Sequence, residues 1–198
     1  MANSFEWLEH NARKHLDAFE RFLKNEELKH TVASAADRIC ASYKAGGKLL
    51  LCGNGGSAAD CQHIAAEFVG RFRLERRALP ALALNCNTSS VTAIGNDYGF
   101  DPVFARQVEA FARPGDVLIG ITTSGGSKNI VRAFESAKER GCFTILLTGE
   151  ACKQSAADLT IKAPSEDTPT IQEMHIFIGH FLAEYVEAKM NEDGSADA

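Results

Sequence analysis

The sequence predicts a single α/β domain built on a parallel sheet. Short continuous apolar runs, each too short for a typical helix, recur along the chain, and the stretches between them carry helical periodicity. Two of these runs end in glycine-rich turns that open into helices. Buried strands alternating with helices argue for a sheet covered on both faces. The length of 198 residues suits one domain with an appended element.

The chain starts with helices. Phe5, Leu8, Ala12, Leu16, Phe19 and Leu23 recur at intervals of three or four residues and predict one apolar stripe. A second helix is expected from about Glu27 to Lys44, with Val32, Ala36, Ile39 and Tyr43 on one face and Ala45-Gly46-Gly47 ending it. These make an N-terminal helical extension over 1–46. The α/β domain is expected over 47–190, with strands at Lys48–Cys52, Leu79–Leu84, Asp116–Ile121 and Phe143–Leu147, and a weaker one at Asp158–Lys162. A last helix over 170–190 carries Ile171, Met174, Ile178, Leu182 and Tyr185 as its stripe. The polar tail 191–198 is expected to be disordered.

Composition narrows the function. Apolar residues make up 45% and charged residues 24%, which excludes a chain disordered overall. A balance of 21 basic against 26 acidic residues, net −5, argues against a nucleic-acid groove built on bulk positive charge. Neither a membrane span nor a signal core is visible, so the expected location is cytoplasmic, with no membrane partner. The six cysteines have irregular spacing and no CxxC pair; most are expected to be reduced apolar fillers. Cys61, two residues from His63, is the one placed to be oxidation-sensitive.

Chemistry is expected at the two turns. Gly53-Asn54-Gly55-Gly56-Ser57 follows the first strand, and a glycine-rich entry to a helix lets backbone N–H groups approach an anion. It has no P-loop lysine and is no dinucleotide fingerprint. Thr122-Thr123-Ser124-Gly125-Gly126-Ser127 repeats the arrangement with four hydroxyls, which suits a phosphate. Ser127 alone reads equally as a helix N-cap. In open parallel sheets ligands bind beyond the carboxyl ends of the strands, where both turns would lie.

His63 and Glu67 stand one helical turn apart on one face, the spacing of a ligand pair or of a surface hydrogen bond. Gln172 and His180 are separated by about 12 Å along the last helix and roughly 80° around it. They reach one metal only with extended side chains, a bend, or contributions from different subunits. His180, amid Ile178, Phe181 and Leu182, is either buried with one partner or placed for proton transfer. His175 reads as a partly exposed helix residue. Asn96-Asp97 reads first as a helix end and turn, and second as a polar pair lining a cleft.

In this order and at these separations, the segments Gly53 to Asp60, Gln62 to Phe68, Leu79 to Leu84, Thr92 to Asp97, Gly115 to Leu118 with Thr122 to Gly125, and Ile171 to His175 resemble the sugar isomerase (SIS) domain family, from about the second helix to Met190. The resemblance implies a five-stranded parallel sheet and a homotetramer. It implies an aldose–ketose isomerase that converts sedoheptulose 7-phosphate to D-glycero-D-manno-heptose 7-phosphate, for ADP-heptose and lipopolysaccharide cores. Asn54, Gly55, Gly56, Ser57, Asn96, Asp97, Thr122, Thr123, Ser124, Ser127, Glu67 and Gln172 would bind the sugar phosphate. His63, Glu67, Gln172 and His180 would be ligands to one Zn²⁺ per subunit, and Glu67 and His180 the acid–base pair. The family usually has Ser-Thr-Ser where this chain has Thr122-Thr123-Ser124, and its loop after Gly149 is longer. Two other functions on this fold are a tetrameric scaffold that binds a replication initiator and a phosphosugar sensor. The scaffold lacks the acid–base residues, and a sensor needs the two turns without both Glu67 and His180.

Overall fold

The computed structural model describes residues 3–194. Five strands form one all-parallel sheet: β1 (Leu49–Gly53), β2 (Ala81–Ala83), β3 (Val117–Ile121), β4 (Phe143–Gly149) and β5 (Leu159–Ala163). Their spatial order is β2-β1-β3-β4-β5, so the connections leave β1 in opposite directions and the order reverses between β1 and β3. A crevice outside the carboxyl ends of the strands opens at such a reversal. Gly53 is in register with Ile121, which starts the two glycine-rich turns side by side.

Helices cover both faces, because alternate residues of each strand point to opposite sides. Leu49, Leu51, Val117 and Ile119 pack with α2 (Glu26–Lys44), α3 (Gly56–Val69) and α7 (Thr168–Gly194). Leu50, Leu118 and Leu146 pack with α5 (Ala105–Phe111) and α6 (Lys128–Glu139) through Val108, Ile130 and Phe134. α4 (Thr88–Tyr98) follows β2 and carries no fully buried residue. Asp116, 2% exposed, accepts the backbone N–H groups of Lys48 and Arg113 and pairs with the Lys48 ammonium, tying the starts of β1 and β3 together.

Two expectations change. Most of the stripe predicted for α1 (Ser4–Lys24) is not its packing face: Phe5, Leu8, Leu16 and Leu23 are 62–72% exposed, and of that stripe Phe19 packs on the core beside the buried Ala18 and Phe22. α1 meets the rest of the chain along a narrow line, where Phe19 and Phe22 set their rings edge-on to Phe177 at 5.0 and 5.7 Å. Its apolar periodicity serves a surface that this chain does not itself cover. The last helix does not stop at Met190; α7 runs to Gly194, and 195–198 lie outside the described residues. Among the described residues no helix is long and apolar enough to cross a membrane.

Among the described residues no disulfide joins the cysteines; Cys86 is exposed and the other five are buried, as reduced apolar fillers would be. Burial pushes the Cys61 thiol well above its ordinary value, which makes it unreactive rather than oxidation-sensitive.

Candidate active site

The first turn leaves β1 at Gly53 and enters α3 through Gly55, and no side chain caps that helix. Its first N–H groups are the partial positive charge that an anion meets. Gly56 is fixed by a close approach: a Cβ there would lie 2.4 Å from Nε2 of Gln172, so the Gln172 amide rests on the turn itself. Ser57 is buried beneath it. Asn54 faces the second turn and exchanges two hydrogen bonds with Asn129 of α6.

The second turn is a cluster of hydroxyls. Ser127 occupies the N-cap position of α6, yet its side chain makes no capping bond. Its Oγ instead meets Oγ1 of the buried Thr122 at 2.9 Å, and Thr122 reaches Oγ of Ser124 at 3.4 Å. Ser124 Oγ also accepts the Gly126 N–H. The Thr123 carbonyl accepts the Gly149 N–H at 3.0 Å, which fastens this turn to the end of β4. Two uncapped helix starts and a row of hydroxyls thus stand at neighbouring strand ends, an arrangement that complements a phosphate.

Beside the turns, α3 and α7 bring three side chains together. A Cβ on Gly179 would lie 2.5 Å from Cδ1 of Ile64, so the glycine permits this close helix packing. His63 Nε2 then stands 2.8 Å from His180 Nε2 and 3.3 Å from Glu67 Oε1. The donor atoms of the three lie within 4.8 Å of one another. Two imidazole nitrogens and a carboxylate oxygen that converge in this way fit a zinc ion by donor type. Facing imidazole nitrogens cannot both present lone pairs unless a proton or a cation lies between them. The His63 side chain is 50% exposed and that of Glu67 21%, so the cluster is open to ligand.

The other sequence-predicted residues lie as follows. Gln172 is half-buried on the first turn, two helical turns before His180. Asn96 and Asp97 are exposed in the last turn of α4, which ends at Gly99, and Asn96 donates to Asp97 at 2.9 Å. They form the expected helix end, and among the described residues no hydrogen bond joins them to either turn.

His175 corrects an expectation: it is fully buried, not partly exposed. Neither ring nitrogen makes a hydrogen bond of good geometry, and burial lowers its pKa to about 4, while the Thr148 backbone, which the ring approaches, acts the other way. Its position faces the core because the buried face of α7 is wide, taking in Ala183 and Val186 beside Ile171, Met174, Ile178 and Leu182.

Three features escaped sequence reading. Asn129 was hidden because a polar residue in second place of a helix reads as surface; the hydroxyl turn just before it was the signal available. Asp60, one turn before His63, has a buried carboxylate oxygen without a partner, and burial raises its pKa while His63 acts the other way. Phe72 stacks on His180 with centroids 5.4 Å apart, a contact no local pattern announces.

The fold and site define a sugar-phosphate-handling class: residues 12–149 match the SIS domain family, and the chain belongs to it. Within that family it is 50% identical over 186 residues to the phosphoheptose isomerase of Clostridium acetobutylicum, covering 93% of this chain and 95% of the relative. It is 53% identical over 184 residues to that of Nitratiruptor, covering 92% and 97%. Among solved structures it resembles phosphoheptose isomerase from Neisseria gonorrhoeae, with TM-score 0.85 and 38% identity, covering 94% of this chain and 100% of that one.

Proposed function

We propose that this chain catalyses the aldose–ketose isomerisation of sedoheptulose 7-phosphate to D-glycero-D-manno-heptose 7-phosphate. The observation that carries the reading is the convergence of His63, Glu67 and His180 beside two anion-binding turns. A sensor would need the turns alone, and a scaffold would need neither.

The phosphate would sit on the N–H groups at Gly55 and Gly56 and on the hydroxyls of Thr123, Ser124 and Ser127, with Thr122 holding Ser127 in place. Binding this remote group orients the reacting carbons. The reaction moves a proton between C1 and C2 and another between their oxygens. Glu67 would take the carbon-bound proton to give a cis-enediol, and His180 would carry the proton between oxygens. Placing a carboxylate and an imidazole on facing helices allows both transfers within one site.

His63, Glu67 and His180 are the residues that would hold a zinc ion, one per subunit; Gln172, resting on the first turn two helical turns before His180, would join them only through a shift of its side chain or from a neighbouring subunit. When bound, such an ion polarises the substrate carbonyl. A Glu67 that is also the base requires the ion to be weakly held. The half-exposed His63 and the uncovered apolar face of α1 support a homotetramer in which a neighbouring subunit closes the site. On the same reading the product feeds ADP-heptose and lipopolysaccharide core assembly in the cytoplasm.

The test is turnover of sedoheptulose 7-phosphate by the purified protein and by Glu67→Gln, with and without added Zn²⁺. Product from the wild type and a loss of about 10²-fold or more in the variant are expected. A folded, zinc-supplied wild type that forms no product would refute the assignment.

A further inference from the structure

After α3 the chain must turn back to reach β2, and the returning segment is clamped. Glu187 of α7, 1% exposed, accepts the backbone N–H groups of Phe72 (2.8 Å), Arg73 (2.6 Å) and Leu74 (2.8 Å) with its two carboxylate oxygens. The buried Arg76 guanidinium faces Glu187 at 3.2 Å. Arg76 also donates to the carbonyls of Glu67 (2.8 Å), Phe68 (2.9 Å) and Gly70 (3.1 Å). Burial opposes the charge on Glu187, but the N–H groups of Arg73, Leu74 and Phe72, with Arg76, outweigh it and hold the carboxyl below its ordinary range. The clamp is therefore an ionised pair: the Glu187 oxygens accept backbone N–H groups and the Arg76 terminal nitrogens donate to backbone carbonyls, while Arg76 Nε faces Glu187 as an ion contact without a hydrogen bond.

The clamp fixes Phe72. The Phe72 ring lies on the His180 ring at 5.4 Å between centroids, with the planes 32° apart. On another side His180 meets His63, at 5.0 Å between centroids. Glu187 follows His180 by seven residues, so the two share one face of α7 two turns apart. One helix thus carries both the imidazole and the carboxylate that anchors its aromatic cover. An imidazole that must present Nε2 toward Glu67, whether to a proton or to a metal, depends on its ring not turning away, and neighbouring groups commonly supply that restraint.

We propose that Phe72 is a positioning residue for His180, held over that ring by the Glu187–Arg76 clamp. The proposal rests on the reading of His180 as an acid–base and zinc-binding residue. Its test uses the full-length protein and the variants Phe72→Leu, Phe72→Tyr and Glu187→Gln. Three quantities are measured: kcat and KM on sedoheptulose 7-phosphate, the Zn²⁺ dissociation constant by chelator competition without substrate, and the His180 ring resonances of the metal-free protein by NMR.

Phe72→Leu is expected to lower kcat and weaken Zn²⁺ binding about tenfold each. KM stays within about twofold and the melting temperature near that of the wild type. Phe72→Tyr, which keeps the ring, restores both. Glu187→Gln follows Phe72→Leu and speeds amide exchange at Phe72, Arg73 and Leu74; if it does not fold, the Phe72 pair decides alone. Wild-type kcat and Zn²⁺ affinity in Phe72→Leu, or equal losses in Leu and Tyr, would overturn the proposal. A wild type that turns over nothing defeats the isomerase reading, and Zn²⁺ affinity then still judges Phe72. Should the wild type bind no Zn²⁺ either, the His180 resonances decide: sharp in wild type and Phe72→Tyr but broadened in Phe72→Leu supports positioning, and equal sharpness in all three overturns it.

Discussion

Asn54 and Asn129 exchange two amide hydrogen bonds, 3.0 Å from the Asn54 nitrogen and 2.8 Å from the Asn129 nitrogen. Asn54 belongs to the turn after β1 and Asn129 to the first turn of α6, so the pair joins the glycine-rich and hydroxyl-rich turns across the β1–β3 boundary. Each amide has one further N–H to offer. The pair fixes the spacing between the two turns.

Breaking this pair is expected to affect binding more than chemistry. Asn129→Ala leaves the Asn54 amide without its partner, a cost of about 1–3 kcal/mol for a group removed from water. KM for the sugar phosphate should rise about tenfold, while kcat changes by less than about twofold, because Glu67 and His180 are untouched. Steady-state kinetics with inorganic phosphate as a competitor measures this; an unchanged KM and phosphate affinity would detach Asn129 from the site.

The crossing of α3 and α7 predicts a second effect. Gly179→Ala would place a Cβ 2.5 Å from Cδ1 of the buried Ile64, forcing apart the helices that carry His63 and His180. Overpacking of this kind costs about 1–3 kcal/mol in stability, and kcat should fall about tenfold or more, since a displacement of about 1 Å is enough at a reacting centre. Shortening the opposing side chain in Gly179→Ala/Ile64→Ala should recover much of the activity. A double variant no better than the single one would place the damage elsewhere than in helix spacing.

The strands and both turns were legible because they rest on short-range chemistry: apolar runs of strand length, and glycines and hydroxyls where chain reversal and N–H exposure demand them. His63 and Glu67 were legible as a pair because one helical turn fixes their separation. Joining them to His180 came only through the family resemblance and not from spacing, since it depends on where α7 crosses α3, which Gly179 and Ile64 decide across more than a hundred residues of sequence. Phe72 and Asn129 were invisible for the same reason. The stripe of α1 misled in another way: periodicity reports that a face is apolar, not which chain covers it.

That uncovered stripe predicts self-association. Phe5, Leu8, Leu16 and Leu23 line one side of a long helix and stand 62–72% exposed, the kind of apolar surface that marks an interaction site. Leu8→Glu/Leu16→Glu should shift the assembly toward smaller species in analytical ultracentrifugation and reduce turnover, while far-UV circular dichroism stays unchanged. If the wild type sediments as a monomer, the stripe has another partner and the tetramer is refuted.

His175 makes a prediction about acid stability. In the folded protein burial lowers its pKa from 6.5 to about 4, whereas in the unfolded chain the ring titrates normally. Between those two values the unfolded state binds the extra proton, so stability increases with pH across that window and declines as the solution is acidified through it. The whole effect is on the order of 3 kcal/mol. Glu187, with its pKa lowered, adds a separate loss only below about its unfolded value of 4.5. His175→Leu removes the titrating ring, whose two nitrogens make no hydrogen bond of good geometry, without changing the apolar setting, so the variant should be about as stable as the wild type at pH 7. Urea unfolding at intervals from pH 7 to pH 5 separates the two proteins: the wild type should weaken steadily and the variant hold nearly level. Equal slopes would mean that the acid sensitivity arises from another group and that His175 is not neutral in the core.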